Sequence, residues 1–482
     1  MRISAVRELG VGLVYWPELA AVFEDTASVG ALEVEPQAYW EKVRGSEGDH
    51  YRPNDALLQQ IAQYPQAKLL HGVGQPIGGT VDDPVEYLAP LKSAIDLLDP
   101  VWISEHLSFN RTVCDGTCQE AGFLLPPRQS PAGVHQAVLN IEKYAQATKR
   151  PFAFETGVNY LQRRDDEIDD GAYFGAVAAQ AECGIVLDLH NLWCNEKNGR
   201  GRVLDVIAKL PLDRVWELHL AGGMAFQGYW LDAHSDVVPA GVYELAAQII
   251  PRLPNLGAIV FEILPQHLPN IGIDGVRRQL AALDELWLLR PARTVVANDA
   301  VTTRLTACAD RDHAADHEEV AAWEASLAAA IRGDKECAPR FTELSHDPGI
   351  RVFRELINDA RRSNLSRSLR YTTTLLLVAM GMRETLALLD AYFAQQTPET
   401  YAAIEADHFA SFLLDHPDVL SRIPYLSEVV AFEHALVRAT IRPTSTDLVW
   451  STDPTAILSA LDEGRAPAEL PSVRSTMRVS SA

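Results

Sequence analysis

The sequence predicts an α/β protein, in which a (β/α)8 barrel of the TIM type is followed by an all-helical C-terminal domain. From residue 10 to about residue 287, short runs rich in Val, Ile, Leu and Phe alternate with longer stretches of helical spacing. Eight such units match the strand count and the length of a (β/α)8 barrel. A doubly wound open sheet is the alternative, but the glycines of residues 72–79 do not lead directly into a helix, as a dinucleotide-binding turn requires.

Near-continuous apolar runs mark the predicted strands, as is usual for parallel strands that are buried on both faces. The predicted strands are residues 10–15, 30–35, 67–71, 100–106, 152–156, 184–189, 214–220 and 258–263. The predicted helices between them are residues 86–98, 134–148, 172–182, 242–253 and 275–287. We therefore expect the barrel domain to span residues 1–287.

The composition changes after the barrel. Residues 288–316 are polar and poorly periodic, which predicts a linker. A helical domain is expected over residues 317–465, because apolar side chains recur there at i, i+3 and i+4. Its predicted helices are residues 318–333, 349–362, 369–395, 399–416 and 426–441, with a turn or kink at Gly381, and residues 466–482 are expected to form a tail.

The charge and the cysteine content exclude several classes of protein. The 482 residues include 42 Lys and Arg against 65 Asp and Glu, a formal charge of −23, which argues against binding nucleic acid or an anionic membrane through net charge. Six cysteines in a chain of this length are not a disulfide framework. Cys114 and Cys118 could form a metal or redox pair, although a loop with free thiols is the favoured interpretation. No signal-like apolar stretch opens the sequence, and the apolar run at 375–382 is too short to span a membrane, so we expect a cytoplasmic protein.

Potential metal ligands stand at the ends of six of the eight predicted strands. They are His71, His106, Glu155, Asp188, His219 and Glu262, and Asp232 and His234 follow in the loop after the seventh strand. The carboxyl ends of all strands in a parallel barrel open onto one face, so these side chains should converge. One such residue is more often an ordinary buried polar group, but burying them all together without positive charge would cost many kcal/mol. Bound cations are the simplest compensation, and mixed His and carboxylate ligands favour two or three ions of iron, manganese or zinc.

Seven segments that include these residues resemble one known family, the multinuclear non-haem iron-dependent oxidative enzymes, best known from methanobactin biosynthesis. The segments are HGVGQPIG (71–78), SEHLSF (104–109), FETGVNYL (154–161), LDLHNLWCNEKN (187–198), HLAGG (219–223), DAHSDVV (232–238) and FEILPQHLP (261–269). The resemblance covers about residues 8–287 and implies that all eight residues above bind iron. His190 stands where the family usually has an asparagine ligand, so His190 is the ninth expected ligand.

The resemblance also implies a function. It predicts an iron enzyme that uses O2 to oxidise a ribosomally made precursor peptide containing cysteine, with no catalytic residue beyond the metal ligands. Residues 409–436 resemble the family's small partner proteins, which help to recruit the peptide, so we expect a natural fusion that needs no separate partner. The alternatives are a metal-dependent sugar isomerase or endonuclease barrel, and a non-catalytic peptide-binding scaffold.

Overall fold

The computed structural model describes residues 6–24, 29–45, 48–81, 85–114, 116–292, 313–333 and 341–481. Most of the predicted linker, residues 293–312, lies outside the described residues, as do Cys308 and Cys337. The contacts divide the chain into two compact units. The first unit comprises Met1–Tyr39, Asn54–Cys118 and Leu124–Val352, and the second comprises Trp40–Pro53, Gln119–Phe123 and Phe353–Ala482.

Eight parallel strands form a closed barrel in the first unit, as predicted. In chain order they are β1 (Gly10–Val14), β2 (Ala31–Val34), β3 (Ala67–Gly72), β4 (Ile103–His106), β5 (Phe152–Glu155), β6 (Gly184–Asp188), β7 (Val215–Ala221) and β8 (Ala258–Glu262). Each strand pairs with its neighbours in sequence, and β8 closes the barrel by pairing with β1. The helices associated with them are Ala20–Phe23, Asp55–Ala62, Val85–Leu98, Pro131–Thr148, Asp170–Ala181, Leu189–Lys197, Val203–Ile207, Ala240–Ile249 and Leu268–Trp287.

Small and apolar side chains fill the lower part of the barrel. A buried cluster there includes Ala31, Leu69, Trp102 and Ala258. Side chains alternate between the two faces of a strand, so the residue two positions further along β2 or β3 points the same way as Ala31 or Leu69. Charged side chains therefore occupy the layer directly above this apolar floor, at the carboxyl ends of the strands.

Short antiparallel strands extend two of the loops at the mouth of the barrel. Met224–Phe226 pairs with Tyr229–Leu231 after β7, and Phe109–Cys114 forms a two-stranded sheet with Thr117–Leu125 after β4. Cys114 ends one of these strands and Cys118 lies at the start of the next. Both cysteines therefore lie in strands, where the sequence predicted a loop.

The first unit extends beyond the predicted end of the barrel domain. Helix His313–Arg332 belongs to it: Trp323 Nε1 donates to Pro126 O (3.0 Å), and Glu324 accepts a hydrogen bond from Thr80 N (2.7 Å). The 3-10 helix Thr342–His346 follows, and Asp347 accepts from Gln162 N (2.9 Å). The contacts thus place the boundary after Val352 rather than at residue 317, because these segments bury their side chains against the barrel loops.

The second unit is mainly helical, as predicted for the C-terminal region. Its helices are Gly349–Ser368, Arg370–Gln395, Ala402–Leu414, Pro417–Arg422, Leu426–Ile441 and Pro454–Asp462; the first of these belongs to the second unit from Phe353 onward. Leu376, Tyr392 and Phe409 are fully buried in its core. The prediction of a tail is wrong for residues 475–480, because strand Ser475–Ser480 forms an antiparallel pair with strand Ser445–Trp450.

Helix Arg370–Gln395 is long and apolar enough to cross a membrane by length and composition, the one such helix among the described residues. Its backbone leaves the helical conformation at Gly381 (φ 80°, ψ 165°), which confirms the predicted break. Leu375, Leu376 and Leu389 lie in the core of the second unit. The cytoplasmic location stays a prediction.

Candidate metal centre

The carboxyl ends of seven barrel strands each contribute an ionisable side chain to one cluster. Since every strand pair in the barrel is parallel, residues predicted from distant segments meet at one mouth. The register places His106 beside Glu155 and Asp188 beside His219. The cluster comprises Glu33 of β2, His71 of β3, His106 of β4, Glu155 of β5, Asp188 of β6, His219 of β7 and Glu262 of β8.

Two imidazoles converge on a single carboxylate oxygen at one side of the cluster. Glu155 Oε2 lies 2.9 Å from His71 Nε2 and 3.0 Å from His106 Nδ1. The second ring nitrogen of His71 lies 2.9 Å from Ser104 Oγ, which fixes the orientation of that ring. Burial lowers the pKa of His71. Burial also disfavours charge on His106, but Glu155 outweighs it and raises the pKa of His106 to about 9.

His219 occupies the centre of the cluster and is completely buried. Its Nδ1 lies 3.3 Å from Glu262 Oε1, and its Nε2 lies 3.3 Å from Glu33 Oε2 and 3.6 Å from Glu217 Oε1. Burial alone would lower the pKa of His219, but the surrounding carboxylates, Glu262 and Glu33 foremost, hold it well above its usual value. Burial raises the pKa of Glu33 well above the ordinary range.

The loop after β7 supplies the outer part of the cluster. Asp232 Oδ1 lies 3.0 Å from His234 Nε2 and 2.8 Å from His190 Nδ1. His190 stands in the first turn of helix Leu189–Lys197, which is capped by the Asp188 side chain. The backbone N–H of Asp232 donates to the hydroxyl of Tyr160 (3.0 Å), so a buried tyrosine fixes this loop. His234 Nε2 lies 3.6 Å from Glu262 Oε2, which connects the outer part to the rest.

Four overlapping groups in the cluster have a spacing that could hold a metal ion. Within each group the ligand atoms lie within 4.8 Å of one another. The groups are His71 with His106 and Glu155; Glu33 with His219 and Glu262; Glu155 with Asp188 and His219; and Asp188 with His234 and Glu262. Seven of the nine predicted ligands belong to these groups. The other two, His190 and Asp232, belong to none of them but contact each other at the same mouth.

The chemistry of the cluster fits bound cations. Several buried atoms in it lack a hydrogen-bond partner within the described part of the chain: Glu33 Oε1 and Oε2, Glu155 Oε2, Asp188 Oδ2, both ring nitrogens of His219, His234 Nε2 and Glu262 Oε2. In the same part of the chain, no ion pair links these carboxylates to a lysine or an arginine. Buried charges of one sign require compensation, and metal coordination supplies it.

Sequence reasoning missed several carboxylates that line the cluster. Glu33 is the most important, because it is completely buried and faces His219. Glu35 lies nearby, and burial, assisted by Glu262, raises its pKa to about 7. Glu105 accepts from the backbone N–H of His106 (3.1 Å). The sequence feature that could have identified these carboxylates is the alternation of Glu33 and Glu35 with apolar residues in the predicted second strand, residues 30–35.

The fold and the cluster define a class, that of (β/α)8 barrels with a candidate polynuclear metal centre at the mouth. Within this class the chain belongs to the family described as RiPP precursor modification enzyme MbnB/TglH/ChrH, whose model matches residues 9–270. RiPPs are ribosomally synthesised peptides that are modified after translation. This membership confirms the family to which the sequence motifs pointed.

Several bacterial proteins are similar to about half of this chain. A UPF0276 protein of Anaeromyxobacter sp. (strain Fw109-5) is 30% identical over 246 residues, covering 50% of this chain and 83% of that protein. A UPF0276 protein of Chromobacterium violaceum is 29% identical over 224 residues, covering 46% of this chain and 79% of its own length.

Solved structures with similarity to the chain include endonuclease IV from Thermus thermophilus, at 15% identity and a TM-score of 0.36, covering 57% of this chain and 98% of that one. The 3-keto-D-glucoside 4-epimerase YcjR from E. coli is 12% identical with a TM-score of 0.34, covering 58% of this chain and 100% of that one.

Proposed function

We propose that this protein is an iron-dependent enzyme that uses O2 to oxidise a ribosomally made precursor peptide, at a cysteine residue. The observation that carries the proposal is the buried cluster of imidazoles and carboxylates at the mouth of the barrel, in a chain of a peptide-modifying family. Mixed nitrogen and oxygen ligands without cysteine suit iron, whereas a site for magnesium or calcium would be built from oxygen ligands.

The nine predicted ligands divide into groups that would together hold two or three ions. His71, His106 and Glu155 would hold one ion, and Asp188 and His219 would help to hold a second, together with members of the groups that they share with Glu155 and Glu262. His190, Asp232 and His234 would form the third part, at the outer edge. Iron, when bound, supplies coordination of a cysteine thiolate and the electrons for reduction of O2.

The exposure of the ligands indicates where the substrate approaches. The side chains of His71, Glu155, His219 and Glu262 are at most 4% exposed. By contrast, the side chains of His106, His234 and Asp232 are 17%, 22% and 14% exposed. The buried ligands keep water from one side of the centre, and the peptide would enter between His106 and His234.

The second unit would recruit the peptide. Its core helices Ala402–Leu414 and Leu426–Ile441 include the segment that resembles the family's partner proteins. The four aromatic residues Phe409, Phe412, Tyr425 and Phe432 of that segment lie within or against the core of the second unit, so their role there is packing. Recruitment would therefore use the surface of this unit rather than those rings.

The proposal is tested with anaerobically purified full-length protein and peptides encoded beside its gene. We expect iron in the protein, and O2 consumption with a change in peptide mass only when a cysteine-containing peptide is present. The matched control is the same peptide with its cysteines replaced by serine, which should not be modified. Full turnover by iron-free protein, or activity on sugars or DNA with zinc or manganese in the absence of O2, would contradict the proposal.

A further inference from the structure

Two carboxylates lie close to one ring nitrogen of His219: Glu33, which belongs to the cluster at the mouth, and Glu217, two residues earlier in the strand of His219. Glu33 and Glu217 are both completely buried, and both approach the same ring nitrogen of His219. Neither residue is among the nine predicted ligands. Because each carboxylate oxygen is an acceptor, the pair requires a donor or a cation in its place.

The two ring nitrogens of His219 face different neighbours. Its Nδ1 faces Glu262, a member of two of the four candidate metal groups, at 3.3 Å. Its Nε2 faces Glu33 and Glu217 at 3.3 and 3.6 Å. An imidazole that binds a metal through one nitrogen carries its proton on the other, and it usually donates that proton to a carboxylate, carbonyl or water.

The apolar floor of the barrel holds Glu217 in place from below. Trp102 Nε1 donates to Glu217 Oε2 at 2.8 Å, and Trp102 itself is 2% exposed. The other oxygen of Glu217 is the one that faces His219. The tryptophan therefore occupies one oxygen and leaves the other facing the imidazole.

We propose that Glu33 and Glu217 are positioning residues that hold His219 with its Nδ1 toward the metal centre and its Nε2 proton toward the barrel floor. The inference rests on the proposed function, since it concerns a ligand of the proposed iron centre. The reversed ring would turn a nitrogen lone pair toward the Glu217 oxygen that Trp102 leaves free, which repels it. Glu33 and Glu217 thereby fix both the tautomer and the direction of the central ligand.

The test measures Fe(II) binding to the full-length protein under anaerobic conditions. The variants are Glu33→Ala, Glu33→Gln and Glu217→Gln, and the control is Glu324→Gln, another buried carboxyl group of the first unit, which contacts Thr80 instead of an imidazole. We expect Glu33→Ala to weaken Fe(II) binding about 10- to 100-fold, the usual effect of losing such a partner. Glu33→Gln should restore most of the affinity, because its amide oxygen still accepts the Nε2 proton.

A spectroscopic measurement separates positioning from a general structural effect. In protein loaded with Co(II), a slowly exchanging, hyperfine-shifted imidazole N–H resonance from His219 is expected. In Glu33→Ala this resonance should be lost to solvent exchange, while Glu324→Gln should retain it.

Three outcomes decide the matter. Unchanged Fe(II) affinity and an unchanged resonance in Glu33→Ala would overturn the positioning role. Loss of one full equivalent of iron in Glu33→Gln would make Glu33 a ligand, and would also overturn it. Failure of the unmutated protein to bind any iron would instead refute the proposed function, so the two failures are distinguishable.

Discussion

Replacing Tyr160 with phenylalanine tests how the outer part of the metal centre is held. Tyr160 is 2% exposed, and its hydroxyl accepts the backbone N–H of Asp232 at 3.0 Å. Asp232 in turn contacts His190 at 2.8 Å and His234 at 3.0 Å. The substitution keeps the ring and removes the acceptor, so the Asp232 loop loses its fixed position.

The expected cost follows from the lost hydrogen bond. A buried N–H group without a partner costs about 1–3 kcal/mol. The unfolding entropy is about 2.1 cal/mol/K per residue, so in a unit of more than 300 residues each kcal/mol lowers the melting temperature by about 1.4 °C, and a decrease of about 1–4 °C is expected in metal-free protein. Iron content should fall by the share held by Asp232, His190 and His234, while the His71 group keeps its ion.

The assay combines thermal unfolding with iron analysis of anaerobically reconstituted protein. Tyr173→Phe is the matched control, because Tyr173 is also completely buried, lies on a barrel helix, and makes only a long hydrogen bond to Gly133 O (3.5 Å). This control should keep its full iron content. If Tyr160→Phe also retains the same iron content and melting temperature as the unmutated protein, the reasoning about the Asp232 loop is refuted.

Three further predictions concern the rest of the molecule. Asp407→Asn should destabilise the second unit by about 3 kcal/mol, since it breaks a buried pair, whereas the exposed pair lost in Glu463→Gln should have no measurable effect on unfolding. His434 and Arg438 hold the pKa of Asp407 below its usual value despite burial, so the ionised carboxylate stabilises the second unit above the unfolded pKa, and this stabilisation is lost as pH falls toward the folded pKa. An acid unfolding transition that is the same in Asp407→Asn and in the unmutated protein would contradict this. Gly349→Ala should lower the melting temperature, because the new Cβ would lie 2.2 Å from the backbone oxygen of Tyr160, whereas the open position Gly201 should tolerate alanine; equal melting curves would disprove the close contact. Removing iron should lower the melting temperature by about 4 °C for each bound ion whose free concentration is 100 times its dissociation constant; calorimetry with and without chelator measures this shift.

The barrel and most of the cluster were predictable because one physical rule connects them. Strand ends in a parallel barrel share a face, so His71, His106, Glu155, Asp188, His219 and Glu262 could be placed together from their positions alone. Asp232 was identified from its position in the loop after the seventh strand and His190 through the family motifs, and the structure places them at the same mouth, in contact with each other.

Other features depend on contacts that sequence periodicity does not contain. Glu33 lies inside a strand, where its alternation with Glu35 does not show whether the two carboxylates face solvent or the barrel interior until the sheet closes. Helix His313–Arg332 has the same apolar spacing whether it packs on the barrel or on the second unit. Strand Ser475–Ser480 becomes recognisable only through its partner Ser445–Trp450, which lies about 25 residues earlier in the chain.

The most direct test of the account is the metal content and coordination of the anaerobically purified, full-length protein. We predict two or three iron ions for each chain, visible as anomalous scattering between the side chains of Glu155, Asp188 and His219 in a crystal. Protein that contains no metal, does not bind Fe(II), and shows these side chains surrounded only by ordered water would contradict the central claim that cations hold the cluster together.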